Sequence, residues 1–123
     1  MGPNLREWFS KYNDAFLTGP EAVAEFYYEP CINARMGVRL NQTRHDTAEF
    51  FRQVIAKYRA QGWHRGEIVT METRSLGSKS AQATIRWAYK NADNQTLWEW
   101  TFTYSLYGAD GDWKILLQTL HES

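Results

Sequence analysis

The sequence predicts an α+β domain in which about six mostly antiparallel strands form a strongly curved sheet wrapped around three N-terminal helices, leaving a cone-shaped space. Helical patterns dominate the first half of the chain and strand patterns the second, as expected when helices cover one face of a sheet. From Trp98 to Leu106, the large residues Trp98, Trp100, Phe102, Tyr104 and Leu106 alternate with Glu99, Thr101, Thr103 and Ser105. That period of two suits a half-buried strand and not a helix. Ala83, Ile85, Trp87 and Tyr89 alternate in the same way, and the polar run Asn91 to Gln95 joins the two stretches as a hairpin. Both apolar rows then lie on one face, and everything upstream has to cover it.

The elements follow in order. Leu5, Trp8, Phe9, Tyr12 and Phe16 recur at steps of three and four, which predicts an amphipathic helix with Arg6, Lys11 and Asp14 turned to water. Thr18-Gly19-Pro20-Glu21 ends it and opens a second helix, Ala22 to Tyr28, with Thr18 and Glu21 as a capping box and Pro20 at the first helical position. Pro30 disfavours a helical Glu29 and stops that helix. Cys31 to Met36 reads as a strand, and Gly37 to Gln42 as a turn with a short partner strand. Thr43-Arg44-His45-Asp46 is a second capping box. It opens a long helix with a buried stripe of Phe50, Phe51, Val54, Ile55 and Tyr58, closed by Gly62. Gly66 to Ser75 is a strand, Leu76 to Lys79 a turn, and the aromatic hairpin follows. Gly108 to Asp112 is the last turn and Trp113 to His121 the last strand.

With 123 residues and no repeat or linker, residues 1–123 are expected to form one domain. The aromatic share of 15%, with six Trp and seven Tyr, implies a face or hollow walled by rings. The simpler account is that the rings fill the gap between helices and sheet. Lys plus Arg and Asp plus Glu number 14 each, so there is no basic footprint for nucleic acid. No apolar run approaches the length that spans a bilayer, and Met1-Gly2-Pro3 is too short for a targeting sequence, so a cytoplasmic protein is expected. The lone Cys31 excludes an internal disulfide and a cysteine-based zinc site, and it reads as a small buried residue. His45, His64 and His121 have no metal-ligand spacing, so neither metal nor cofactor is expected.

The element order carries a resemblance. So do Tyr12 with Ala15-Phe16 ahead of Gly19-Pro20, Phe26-Tyr27-Tyr28 before the first strand, and Thr43 to Phe51 opening the long helix. With the closing pattern Trp98 to Leu106, then Asp110-Gly111-Asp112-Trp113-Lys114-Ile115, the chain resembles the nuclear-transport-factor-2-like superfamily over essentially its whole length. That superfamily holds ketosteroid isomerases, scytalone dehydratase, polyketide cyclases and non-enzymatic transport and association domains, so the resemblance implies a fold and not a reaction. Tyr12 matches the isomerase tyrosine that helps hold an oxyanion. The isomerase base falls at Arg35, with Asn33 two residues earlier, and arginine stays protonated. The second oxyanion donor falls at Phe102. The resemblance therefore speaks against steroid isomerisation by that mechanism, and the aspartate and histidine pattern of the cyclases is not evident in the last strands.

The candidate ligand-pocket residues are Tyr12, Phe16, Asn33, Arg35, Trp87, Trp100, Phe102 and Gln118. Tyr12 offers a hydroxyl to the hollow or is a core ring whose hydroxyl reaches the surface. If Cys31, Asn33 and Arg35 face inward, Arg35 is a buried guanidinium awaiting an anion or a carboxylate; if Ile32, Ala34 and Met36 do, it is a solvated side chain. On the last strand, Ile115, Leu117 and Thr119 share one face and Leu116, Gln118 and Leu120 the other, with Gln118 inward by alignment. His64 and His121 read as exposed, and Glu72 with Arg74 as a surface pair.

Two functions compete. In the first, the cone binds a small apolar ligand or is filled by its own rings. The outer sheet face, with Arg86, Thr101, Thr103, Ser105, Ile115 and Leu117, then forms a homodimer. In the second, an isomerase, dehydratase or cyclase acts on a small ring-bearing substrate. Trp87, Trp100 and Phe102 form its wall, and Tyr12 with Arg35 or Gln118 its polar end. The first is expected, because no Asp or Glu falls on an inward strand position.

Overall fold

The computed structural model describes residues 5–109 and 112–122; Met1-Gly2-Pro3 and the Asp110-Gly111 part of the last turn lie outside them. Its elements are α1 (Leu5–Thr18), α2 (Pro20–Ala24), β1 (Tyr27–Ala34), β2 (Val38–Asn41), α3 (Arg44–Ala60), β3 (Arg65–Ser75), β4 (Ser80–Lys90), β5 (Thr96–Ala109) and β6 (Asp112–Leu120). The strands make one six-stranded sheet in the order β2-β1-β6-β5-β4-β3. Only β1 with β6 is parallel, so the sheet is mixed and the architecture is α+β.

The aromatic hairpin is the sheet's spine. Ala83 pairs with Tyr104, Ile85 with Phe102, Trp87 with Trp100 and Tyr89 with Trp98, so the two apolar rows share a face in register. The Asn91 side-chain oxygen accepts from the backbone N–H of Asp93 and Gln95, fixing the turn. The helices pack on that same face. Phe9 of α1 lies 4.9 Å from Tyr104, Phe51 of α3 lies 5.2 Å from Tyr27, and Tyr58 lies 5.3 Å from Tyr89. Thr43 caps α3 as the sequence predicts: its hydroxyl accepts from Asp46 N–H at 3.1 Å, and Asp46 reaches back to Thr43 N–H.

Four local expectations are corrected. The Thr18–Glu21 capping box does not form, because α1 runs through Thr18 and Gly19 takes the N-cap of α2 with φ 147°. Glycine tolerates that conformation, and its N–H also closes α1 onto the Ala15 carbonyl at 3.0 Å. The second helix ends at Ala24 and not near Tyr28, because Tyr27 is drawn into the sheet beside Ile115, with its ring buried against Tyr12 and Phe51. Burial outweighs the local helical pattern there. Pro30 consequently lies inside β1, after a cis Glu29–Pro30 peptide, at a position that neither β2 nor β6 pairs with. Finally, β6 does not alternate cleanly. Leu106 pairs with Ile115 and Ser105 with Leu117, so Leu116 is the extra residue of a bulge. The bulge puts Ile115 inward with Gln118 and Leu120, and not outward with Leu117. Among the described residues no helix is long and apolar enough to cross a membrane.

Candidate functional site

β1 decides the site. Its alternation turns Cys31 and Asn33 inward and leaves Ile32 38% exposed. The strand ends in a turn in which Arg35 N–H donates to the Gly37 carbonyl at 2.9 Å, and Met36 (φ 54°) and Gly37 (φ 124°) reverse the chain. Met36 stands 75% exposed, and the Arg35 side chain continues the inward row. This settles the parity of the strand in favour of the inward arginine.

Arg35 sits among rings. Its guanidinium lies 5.3 Å from the Phe102 centroid, 5.7 Å from Trp100, 5.8 Å from Tyr58 and 5.9 Å from Phe50, and it donates to the Tyr58 hydroxyl at 2.7 Å. Among the described residues no carboxylate lies within 4.0 Å of it. Burial alone would lower its pKa, but the Tyr58 hydroxyl and the nearby Tyr89 and Tyr27 raise it, so the group stays a cation.

The hollow beside Arg35 is small. Its cavity volume is about 30 Å³. That is room for water, since one water needs about 10–15 Å³. Six of the sequence-predicted residues meet on its wall: Tyr12, Phe16, Arg35, Trp87, Phe102 and Gln118. Asn33 is buried beside Gln118, its partner on β6, and Trp100 packs on Arg35, but neither is on the wall. Asn13, Tyr58, Trp63, Gly66, Tyr89 and Tyr104 complete the lining and were not predicted as site residues. Tyr58 and the strand residues Tyr89 and Tyr104 were legible as buried, but periodicity does not say which buried ring reaches a hollow. Gly66, an isolated glycine in a strand, was a signal of close approach: an added Cβ there would lie 2.9 Å from Asn13 Oδ1. Asn13 Nδ2 donates to the Gly66 carbonyl at 3.0 Å.

The polar groups of this region fall into two sets. The first is paired. The Tyr12 and Tyr27 hydroxyls lie 2.7 Å apart, and Trp87 Nε1 donates to the Tyr104 hydroxyl at 2.9 Å. Burial is the main cause that raises the Tyr12, Tyr27, Tyr89 and Tyr104 hydroxyls above their ordinary range, so all four are neutral at physiological pH. The second set is buried and unpartnered: both amide atoms of Asn33, Gln118 Oε1 and Trp63 Nε1. Among the described residues no Asp, Glu or His lines the hollow. Among the described residues no group of three or more His, Cys, Asp and Glu side chains is placed to hold a metal. His64 and His121 are exposed, with His121 Nε2 2.6 Å from the Thr103 hydroxyl.

A curved-sheet α+β fold with a ring-walled hollow under its first helix defines a nuclear-transport-factor-2-like protein. The family described as NTF2-like protein (DUF6841) matches residues 4–123, and the chain belongs to it. No functionally curated protein matches the sequence. Among solved structures, the chain is similar to an NTF2-like protein of unknown function from Shewanella oneidensis MR-1, at 17% identity and TM-score 0.71, covering 93% of both chains. It is also similar to an NTF2-like protein with a cystatin-like fold from Novosphingobium aromaticivorans (16% identity, TM-score 0.73, 94% of this chain and 77% of that one). A protein of unknown function with a cystatin-like fold from Nostoc punctiforme gives 10% identity and TM-score 0.77, over 94% of this chain and 86% of that one. At these identities the likeness is one of fold.

Proposed function

We propose that this chain is a small-molecule-binding domain whose sheet wraps around the helices as a cone, that it acts as a homodimer, and that it lacks the ketosteroid isomerase reaction. One observation carries the reading: the hollow is lined by a guanidinium, neutral tyrosines and an unpartnered Gln118 oxygen, with no group able to take a proton at neutral pH. Arg35 at the position of the isomerase base supports the same reading. The hollow as it stands has room for water alone, so a ligand of one ring enters only with a shift of wall side chains such as Asn13 or Phe16, and a fused polycycle demands a larger one. The test is a titration of the full chain with benzyl alcohol, a neutral single-ring probe, followed by intrinsic tryptophan emission. A saturable change is expected, and its absence would overturn the ligand-site reading.

The dimer part rests on the outer sheet face. Ile32, Leu40 and Leu117 are cross-strand neighbours there, with Leu40 55% exposed. An apolar row of this kind on a sheet surface suits a self-complementary contact. Light scattering coupled to size exclusion is expected to give twice the mass of 14.4 kDa, and Leu40→Glu to give the monomer. A monomeric wild type would remove this part alone.

A further inference from the structure

We infer that the ligand of the hollow is a single-ring monocarboxylate, bound through the Arg35 guanidinium. The inference rests on the reading of the hollow as a ligand site and names the chemistry that site takes.

A guanidinium carries five N–H donors in one plane. Arg35 uses one on the Tyr58 hydroxyl at 2.7 Å. The four rings around it, 5.3 to 5.9 Å away, stabilise the cation through their faces. Rings do not accept the remaining in-plane N–H groups as an oxygen does, and among the described residues no carboxylate is present to do so. A planar carboxylate matches that fork with two parallel hydrogen bonds.

The rest of the wall fixes the charge and the body of the ligand. Arg35 is the only cationic side chain among the residues that line the hollow, so a dianion would keep one charge unmatched. Trp63 and Gln118 line the same hollow, and their Nε1 and Oε1 atoms are buried and without partners. One offers a further donor, and the other accepts a hydrogen bond from the ligand or from a water held with it. Phe16, Trp87 and Phe102 supply ring faces for an apolar body. A neutral ring would fill the apolar part and leave Arg35 as unpaired as it is now.

Calorimetric titration of the full chain with benzoate and with benzyl alcohol tests this. Benzoate is expected to bind about tenfold more tightly, the gain of a charge-assisted bidentate pair over a neutral contact. Arg35→Gln is expected to abolish that preference while benzyl alcohol affinity stays within about twofold. If Arg35→Gln does not fold, Arg35→Lys keeps the charge without the fork and is expected to weaken benzoate alone by about threefold. Equal affinities in the wild type, a preference that survives in Arg35→Gln, or a tenfold preference left undiminished in Arg35→Lys would overturn the inference. Benzyl alcohol binding in those cases would leave the ligand-site reading standing; binding of neither probe would end both.

Discussion

Asn33 on β1 lies directly beside Gln118 on β6, and the two buried amides, 1% and 2% exposed, leave three side-chain atoms without a partner. Two inward polar residues are thus set side by side in a core otherwise built of rings and aliphatic groups. An unpaired buried amide atom costs about 1–3 kcal/mol. Asn33→Val removes two of the orphans, and a β-branched side chain suits the strand. The variant is expected to be more stable by about 1 kcal/mol, a rise of about 4 °C in the thermal midpoint. A lower midpoint would mean that a buried water pairs this amide in solution.

Trp87 Nε1 and the Tyr104 hydroxyl, 2.9 Å apart and buried, form a paired polar contact at the wall of the hollow. Tyr104→Phe keeps the ring and strands the indole N–H. It is expected to cost about 1–3 kcal/mol in urea unfolding, and a double-mutant cycle with Trp87→Phe to recover about 1 kcal/mol as coupling. Additive losses would show that the hydroxyl serves another partner.

The buried tyrosines set the alkaline limit of the fold. Tyr12, Tyr27, Tyr89 and Tyr104 all titrate above the ordinary 10.0, with burial as the leading cause. A group whose folded pKa is raised holds its proton more tightly in the folded state. Its contribution is therefore complete below pH 10 and is lost as the pH rises above it. Stability is expected to be insensitive to these groups below about pH 9.5 and then to fall by up to about 1.4 kcal/mol per pH unit for each of them. Tyrosinate absorbance is expected to appear for these residues together with unfolding. Their ionisation in a folded protein would place the hydroxyls in contact with water.

Much of this was legible in the residues because burial writes a period into a strand. Trp98, Trp100, Phe102, Tyr104 and Leu106 declared both the strand and its inward face, and Thr43 with Asp46 declared the start of α3. What stayed hidden needed a neighbour. The bulge at Leu116 turns Ile115 inward, and nothing in Trp113 to His121 marks which residue is the extra one. Tyr27 sits in a run that reads as helix, and only its partner Ile115 makes it a strand. The direction of Arg35 was open because apolar counting on β1 favoured Ile32 and Met36, the two residues that the structure leaves exposed. On β1 the rule that apolar means inside does not hold, since exposed apolar residues are ordinary on a protein surface.

Asn13 and Gly66 lie between the inner hollow and a surface groove between α1 and β3, lined by Arg6, Ser10 and Ile68 among others. Both residues line both spaces, and the Asn13 amide donates to the Gly66 carbonyl at the boundary between them. A Cβ at residue 66 would meet the Asn13 oxygen at 2.9 Å and the Trp87 ring at 3.8 Å, so the amide has to move while the ring does not. Gly66→Ala is therefore expected to cost about 1 kcal/mol in chemical denaturation, since the displaced group is the end of a side chain. It is also expected to speed benzyl alcohol association several-fold in stopped-flow emission, by opening the boundary. Asn13→Ala, which removes the amide without adding volume, should speed entry in the same way. Unchanged association in both variants would place the entrance elsewhere, at the Arg35 end of the hollow.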